Sequence, residues 1–175
     1  MPAVIFAPAT LSIYKESKMK LKILFFISLC LLMMVTGVFW GTWFSLSRSM
    51  GVFSAAEFIH IGKTIIQNLA IPMRIILPAC IISMLLTAWF YPQKKSPGFN
   101  FCITAFILII ISLLITLLVE VPIDNQIKEW TVVTVPADWE TIRNRWESFH
   151  TLRTFISLAS FGFFSLSIMG SKNEI

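Results

Sequence analysis

The sequence predicts an all-α protein: a four-transmembrane-helix bundle with a small extracytoplasmic cap built from an amphipathic helix and a short extended segment. Three observations carry the prediction. Of the 175 residues, 57% are hydrophobic and 13% charged, with a mean hydropathy of +0.81, whereas a soluble domain carries about 25% charged residues. Four stretches, Ile23 to Ser47, Ile75 to Gln93, Ser96 to Val119 and Thr154 to Ser171, hold no charge at all. Each approaches or exceeds the ~20 apolar residues that cross ~30 Å of hydrocarbon as a helix, the form that satisfies its own backbone hydrogen bonds. Lysines, finally, collect at alternate helix ends.

These features place spans at about 22–45, 70–91, 98–120 and 150–170, in one membrane domain covering 19–172. Residues 1–18 form an N-terminal extension, and Met19 is an alternative start because "MKLKILFF" is by itself a good membrane-entry sequence. The first uncharged run is 25 residues long and has no A-x-A site, so it reads as a retained helix and not a cleaved signal. Lys15, Lys18, Lys20 and Lys22 precede the first span, Lys94 and Lys95 lie between the second and third, and Lys172 follows the fourth. By the positive-inside rule both termini are cytoplasmic and loops 45–69 and 121–149 extracytoplasmic. The net charge of +5 therefore records topology and a basic rim suited to anionic lipid, and does not point to nucleic acid.

In the first outer segment, Ser54 is a candidate N-cap with Glu57 three residues on, a capping box. The helix it starts carries a polar stripe of Glu57, His60, Thr64 and Gln67 and an apolar one of Phe58, Ile61, Ile65 and Leu69. Pro72 and Pro78 are expected to kink or interrupt the passage into the second span. In the second outer segment Pro122 is expected to end the third helix, and Thr131 to Val135, rich in β-branched residues, to form a short strand. Asp138 then starts a helix without an interior break that runs into the fourth span, roughly 46 Å from Trp139 to Met169. Trp139, Arg143, Trp146, His150 and Arg153 make one stripe on it, at 4, 3, 4, 3 spacing. Facing inward over a cavity, the stripe supports a ligand site; facing lipid or solvent, it supports an aromatic belt, an anchor or a docking surface.

Arg74, Glu120 and Arg153 all fall near the outer ends of spans. Charge at that depth is costly, so such residues pair or line a hydrated functional cavity. The only two histidines each follow a glutamate by three residues, in "EFIH" and "ESFH". Di-iron bundles use such a pair on each of two helices plus a glutamate from each of the other two. Here Glu57, His60, Glu147, His150 and Glu120 would be the donors, but the first span offers no carboxylate, and two arginines at the same depth repel a dication. No metal or other cofactor is therefore expected. A bound transition metal, the alternative, would take Glu57, His60, Glu147 and His150. Cys30, Cys80 and Cys102 lie inside predicted spans with no C-x-x-C, which argues against a thiol oxidoreductase and for small apolar fillers. No G-x-G-x-x-G, P-loop or Ser-His-Asp pattern offers another enzyme class.

The run "VEVPIDNQIKEWTVVTVPADWETIRNRWESFHTLRTFISLASF", with the earlier "QNLAIPMRIILP", resembles the anthrone oxygenase-like family of small four-helix membrane proteins. The likeness covers the chain from about Ile23 onward, and the family pattern falls here on Pro122, Asn125, Trp130, Trp139, Arg145, Trp146, His150 and Arg153. The resemblance implies oxygenation of an activated methylene in a fused phenolic ring to a ketone, without an established organic cofactor. On that reading His150 accepts a proton from carbon and, with Arg153, is catalytic. Arg74, Glu120, Asn125, Trp130, Trp139, Arg143 and Trp146 contact the substrate, Arg74 with Arg153 holding an enolate or phenolate and Trp139, Trp146 or Trp130 covering the ring. Expected partners are the bilayer and a small apolar or aromatic ligand, with a homo-oligomer left open. The non-enzymatic alternative is an accessory or structural membrane subunit docking a partner through its cap; a transporter ranks third, since four short spans leave little room for alternating access.

Overall fold

A computed structural model describes residues 7–171, so Lys172 and the first six residues of the extension lie outside the described residues, as does the side chain of Lys15. Five α-helices follow in order: α1 (Ala7–Ser45), α2 (Ala55–Trp89), α3 (Pro97–Ile115), α4 (Val121–Glu129) and α5 (Trp139–Ser171), with a 3-10 turn at Ser47–Val52 and a π turn at Thr116–Glu120. No strand occurs among the described residues. Four continuous helical segments, Lys18–Val52, Ala55–Trp89, Pro97–Glu129 and Trp139–Ser171, are long and apolar enough to span a membrane. The chain is a multi-pass membrane protein.

Helix neighbours run in a closed ring, α1 against α2, α2 against α3, α3 against α5 and α5 back against α1. Short connections make each neighbouring pair antiparallel, the up-down arrangement of a four-helix bundle. The α3–α5 seam is the tightest, for a reason visible in α5: Ser157, Ser160, Ser167 and Ser171 are all buried on it. Small residues let backbones approach in lipid, and the hydroxyls of Ser157, Ser160 and Ser171 donate to main-chain oxygens. Ser160 Oγ donates to the Ala105 carbonyl of α3 at 2.7 Å. At the Lys94 end the approach is closest: a Cβ on Gly170 would stand 3.2 Å from the Gly98 Cα, and one on Gly98 would collide with the Tyr91 hydroxyl.

Three sequence expectations are corrected. Pro72 and Pro78 do not interrupt α2, which stays helical through both; each removes one hydrogen bond, which a membrane helix tolerates when its surroundings re-satisfy the freed carbonyl. Nor does Pro122 end the third helical segment. The helix widens into the π turn, and Pro122 then sits directly behind it in the first turn of α4, where the wider ring has already displaced the regular hydrogen-bond pattern. Thr131 to Val135 is a turn and not a strand: Thr131 N donates to Thr134 Oγ1 at 2.9 Å and Thr134 N to Thr131 Oγ1 at 3.1 Å. With no neighbouring strand, local side-chain bonds win over β propensity.

The expected start of α5 and the Ser54 cap are observed. The Asp138 carbonyl accepts from Thr141 and Ile142, and Ser54 and Glu57 make a complete capping box at the start of α2. Two apolar clusters stack along the molecule. The larger fills the bundle toward the Lys94 end with residues such as Phe25, Leu32, Met84, Ile109 and Phe164. The smaller joins the 3-10 turn, the first turns of α2, α4 and the start of α5 through Met50, Phe58, Ile127, Trp130 and Trp146. The candidate site lies between the two.

Candidate functional site

A cavity of about 450 Å³ opens between α1, α2, the π turn, α4 and α5. Its walls are mostly apolar, with Phe39, Leu69, Met73, Leu77 and Leu113 among them, and into it converge Arg74, Asp124, Asn125, Lys128, Trp146, His150 and Arg153. A concave apolar pocket with a few convergent polar groups is the usual form of a small-molecule site.

The polar centre is Arg153. Its Nη2 lies 3.0 Å from Glu120 Oε2, its Nε and Nη2 lie 3.1 and 2.9 Å from His150 Nδ1, and its Nη1 donates to Thr116 Oγ1 at 3.2 Å. The guanidinium also stands 4.6 Å over the Phe39 ring. The π turn places both Glu120 and Thr116 toward α5. Those contacts occupy four of the five guanidinium hydrogens, leaving one on Nη1. Glu120 is fully buried, and beyond the ion pair neither of its oxygens finds a hydrogen bond.

His150 is 1% exposed. Its ring stacks on Trp146 at 5.0 Å and 7° and meets Phe39 edge-on at 6.3 Å. An arginine only donates, so Nδ1 is an acceptor and the ring hydrogen belongs on Nε2. Nε2 is buried and finds no hydrogen-bond partner among the described residues. Nδ1 is engaged by Arg153. The arrangement makes His150 a partner that holds the Arg153 guanidinium in place.

Of the other residues singled out in the sequence, Arg74, Asn125 and Trp146 line the cavity and Glu120 reaches it through Arg153. Trp130, Trp139 and Arg143 do not line it. Trp130 is buried in the upper cluster, Trp139 packs on Phe58 at 5.7 Å, and Arg143 lies over Trp139 at 5.0 Å and donates to the Met50 carbonyl at 3.4 Å. The stripe on α5 thus faces inward, its upper half holding the second cluster and its lower half the cavity wall. Glu57 is engaged with Ser54, its Oε2 accepting from the backbone N at 2.8 Å and from Oγ at 2.7 Å. His60 is exposed and Glu147 half-buried, and no three potential metal ligands cluster among the described residues.

Asp124 and Lys128 were not singled out as site residues. Asp124 Oδ1 accepts from the Trp146 indole at 3.1 Å, and its charge acts on Arg153 together with that of Glu120. Lys128 Nζ donates to Asn125 Oδ1 at 2.9 Å. The signal was present: Val121, Asp124, Asn125 and Lys128 fall at helical i, i+3, i+4, i+7 spacing. Reading Pro122 as a helix end hid it.

A family model described as anthrone oxygenase matches residues 67–163, more than half of the chain. The chain belongs to the anthrone oxygenase family. The matched segment runs from the middle of α2 through α3, the π turn and α4 into α5, so Arg74, Glu120, Asp124, Trp146, His150 and Arg153 all fall inside it, while the Phe39 wall from α1 does not. No curated protein and no solved structure matches the chain. Oxidoreductase is the enzyme class that the family's description carries.

Proposed function

We propose that this protein is a cofactor-independent oxygenase that binds a flat aromatic or phenolic molecule in the cavity and converts an activated ring methylene to a ketone. The Lys94 end faces the cytoplasm and the cavity end faces outward, as the lysine distribution favours. One observation carries the reading: an apolar cavity large enough for a fused-ring molecule ends on an anchored arginine and a half-buried carboxylate, in a member of this family.

The chemistry follows from those groups. Asp124, held by the Trp146 indole through one oxygen, takes a methylene proton with the other. The remaining Arg153 Nη1 hydrogen and the guanidinium charge stabilise the enolate oxygen, the position where negative charge develops. His150 and Glu120 hold that guanidinium in place. The electron-rich carbon reduces dioxygen and forms a C–O bond, and Asp124 returns its proton to the peroxide. Removal of the second methylene hydrogen expels hydroxide and leaves the ketone, so one methylene and one dioxygen give one ketone and one water.

Docking of a partner through the α5 stripe is not favoured, because Arg143, Trp146 and His150 are all buried. The test is turnover of anthrone by the purified protein in lipid nanodiscs. Dioxygen uptake and quinone formation are expected in equal amounts, with Asp124→Asn slowing turnover about 100-fold or more. Equal rates for Asp124→Asn and parent would refute the assignment.

A further inference from the structure

The cavity has an opening, and its position is written in which wall residues are exposed. From α1 and α5 every lining residue is buried or half-buried. Its exposed members are Arg74 and Pro78 on α2, and Leu117, Val121, Asn125 and Lys128 on the π turn and α4. The mouth is therefore a slot along the α2–α3 side, the loosest of the four seams, running from Pro78 and Leu117 up to Lys128.

Depth follows from helix rise. Pro78 is 13 residues from Tyr91 and Leu117 is 19 from Gly98, which puts them ~20 and ~29 Å from the Lys94 end, inside a hydrocarbon layer of ~30 Å. Leu117, 53% exposed, is apolar as lipid contact requires, and the rim continues above the layer through Val121, Asn125 and Lys128. Arg74 lies between those depths and makes no ion pair or hydrogen bond among the described residues. An unpaired cation at the lip of an apolar slot is expensive unless a ligand or water meets it.

We infer that the cavity is filled from the bilayer through this slot, and that Arg74 selects membrane-dissolved flat molecules carrying one ionised or strongly polarised oxygen. This rests on the proposed function for the class of ring bound, and adds the route and the selecting residue. The apolar lip lets the ring frame slide in from lipid without rehydration. Arg74 then supplies a charge-assisted hydrogen bond that a plain hydrocarbon cannot use.

The test uses the whole protein in lipid vesicles, with anthrone and the oxygen-free anthracene as probes delivered in the lipid, and binding followed by the probes' own optical signals. Arg74→Met is expected to weaken anthrone about tenfold, the worth of one charged hydrogen bond, and to leave anthracene unchanged, with Arg74→Lys restoring part of the loss. Leu117→Trp should slow association of both probes and Leu117→Ala, which widens the slot, should speed it. Association rates indifferent to Leu117→Ala, or an Arg74→Met loss equal for both probes or absent, would overturn the inference while leaving the oxygenase reading in place. Failure of the parent to bind anthrone by any delivery would overturn both.

Discussion

Replacing Arg153 by leucine removes the group on which the site is organised, and the structure sets the size of the effect. The substitution strands Glu120, which has no exposure and no hydrogen bond apart from the ion pair. It also takes the donor partner from His150 Nδ1 and the guanidinium from the face of Phe39. Breaking one side of a buried pair costs about 3–5 kcal/mol, chiefly because the other charge stays buried and unpaired. The same principle makes a second change diagnostic. Glu120→Leu combined with Arg153→Leu leaves no stranded charge, and well-packed apolar replacements of buried pairs are often neutral. Reversible unfolding in mixed micelles with increasing sodium dodecyl sulfate, followed by tryptophan fluorescence, should show the single variant about 3–5 kcal/mol less stable and the double variant recovering most of that loss. A single variant within about 1 kcal/mol of the parent would refute the reasoning, because Arg153 would then be a snorkelling cation with no structural charge.

In a cysteine-free background, Lys95→Cys should react with a membrane-impermeant thiol reagent only from the cytoplasmic side and Asp138→Cys only from outside; the opposite pattern inverts the topology. Gly98→Ala forces a methyl group onto the Tyr91 hydroxyl beside Gly170, so it should cost about 1–3 kcal/mol in the same unfolding assay, with Tyr91→Phe recovering part of it. Ser54→Ala should cost about 1 kcal/mol through the lost cap. Glu57→Gln and His60→Ala should leave the metal content of purified protein unchanged by elemental analysis; loss of one equivalent of transition metal with either would revive the paired Glu-x-x-His site.

The bundle was legible because its solvent is written in composition: uncharged runs of membrane length have few alternatives to helix. The buried face of α5 was legible from spacing. What spacing does not give is height. From Trp139 to Arg153 is 14 residues, ~21 Å along the axis, so one stripe serves two levels, and only its lower end reaches the cavity. The π turn left no compositional mark, since "TLLVE" reads as ordinary helix. It nonetheless points Glu120 at Arg153 and restarts the helix at α4, which is why Asp124 and Lys128 were missed. The locking of His150 by Arg153 had a signal, three residues of separation on one helix, but its consequence, an accepting Nδ1 with the ring hydrogen on Nε2, emerges only from the side-chain geometry.

The most direct test of a ligand site at this end of the bundle is photolabelling with an anthrone carrying a diazirine group, in lipid nanodiscs, with the labelled residues mapped by mass spectrometry. Label should fall on cavity-lining residues, Met73, Leu77, Val121 and Trp146 foremost, and should be displaced by excess unlabelled anthrone. Label confined to the lipid-facing Trp40, Phe44 and Phe155 surface or to the Thr131–Thr134 turn, or label that excess anthrone does not displace, would contradict the account.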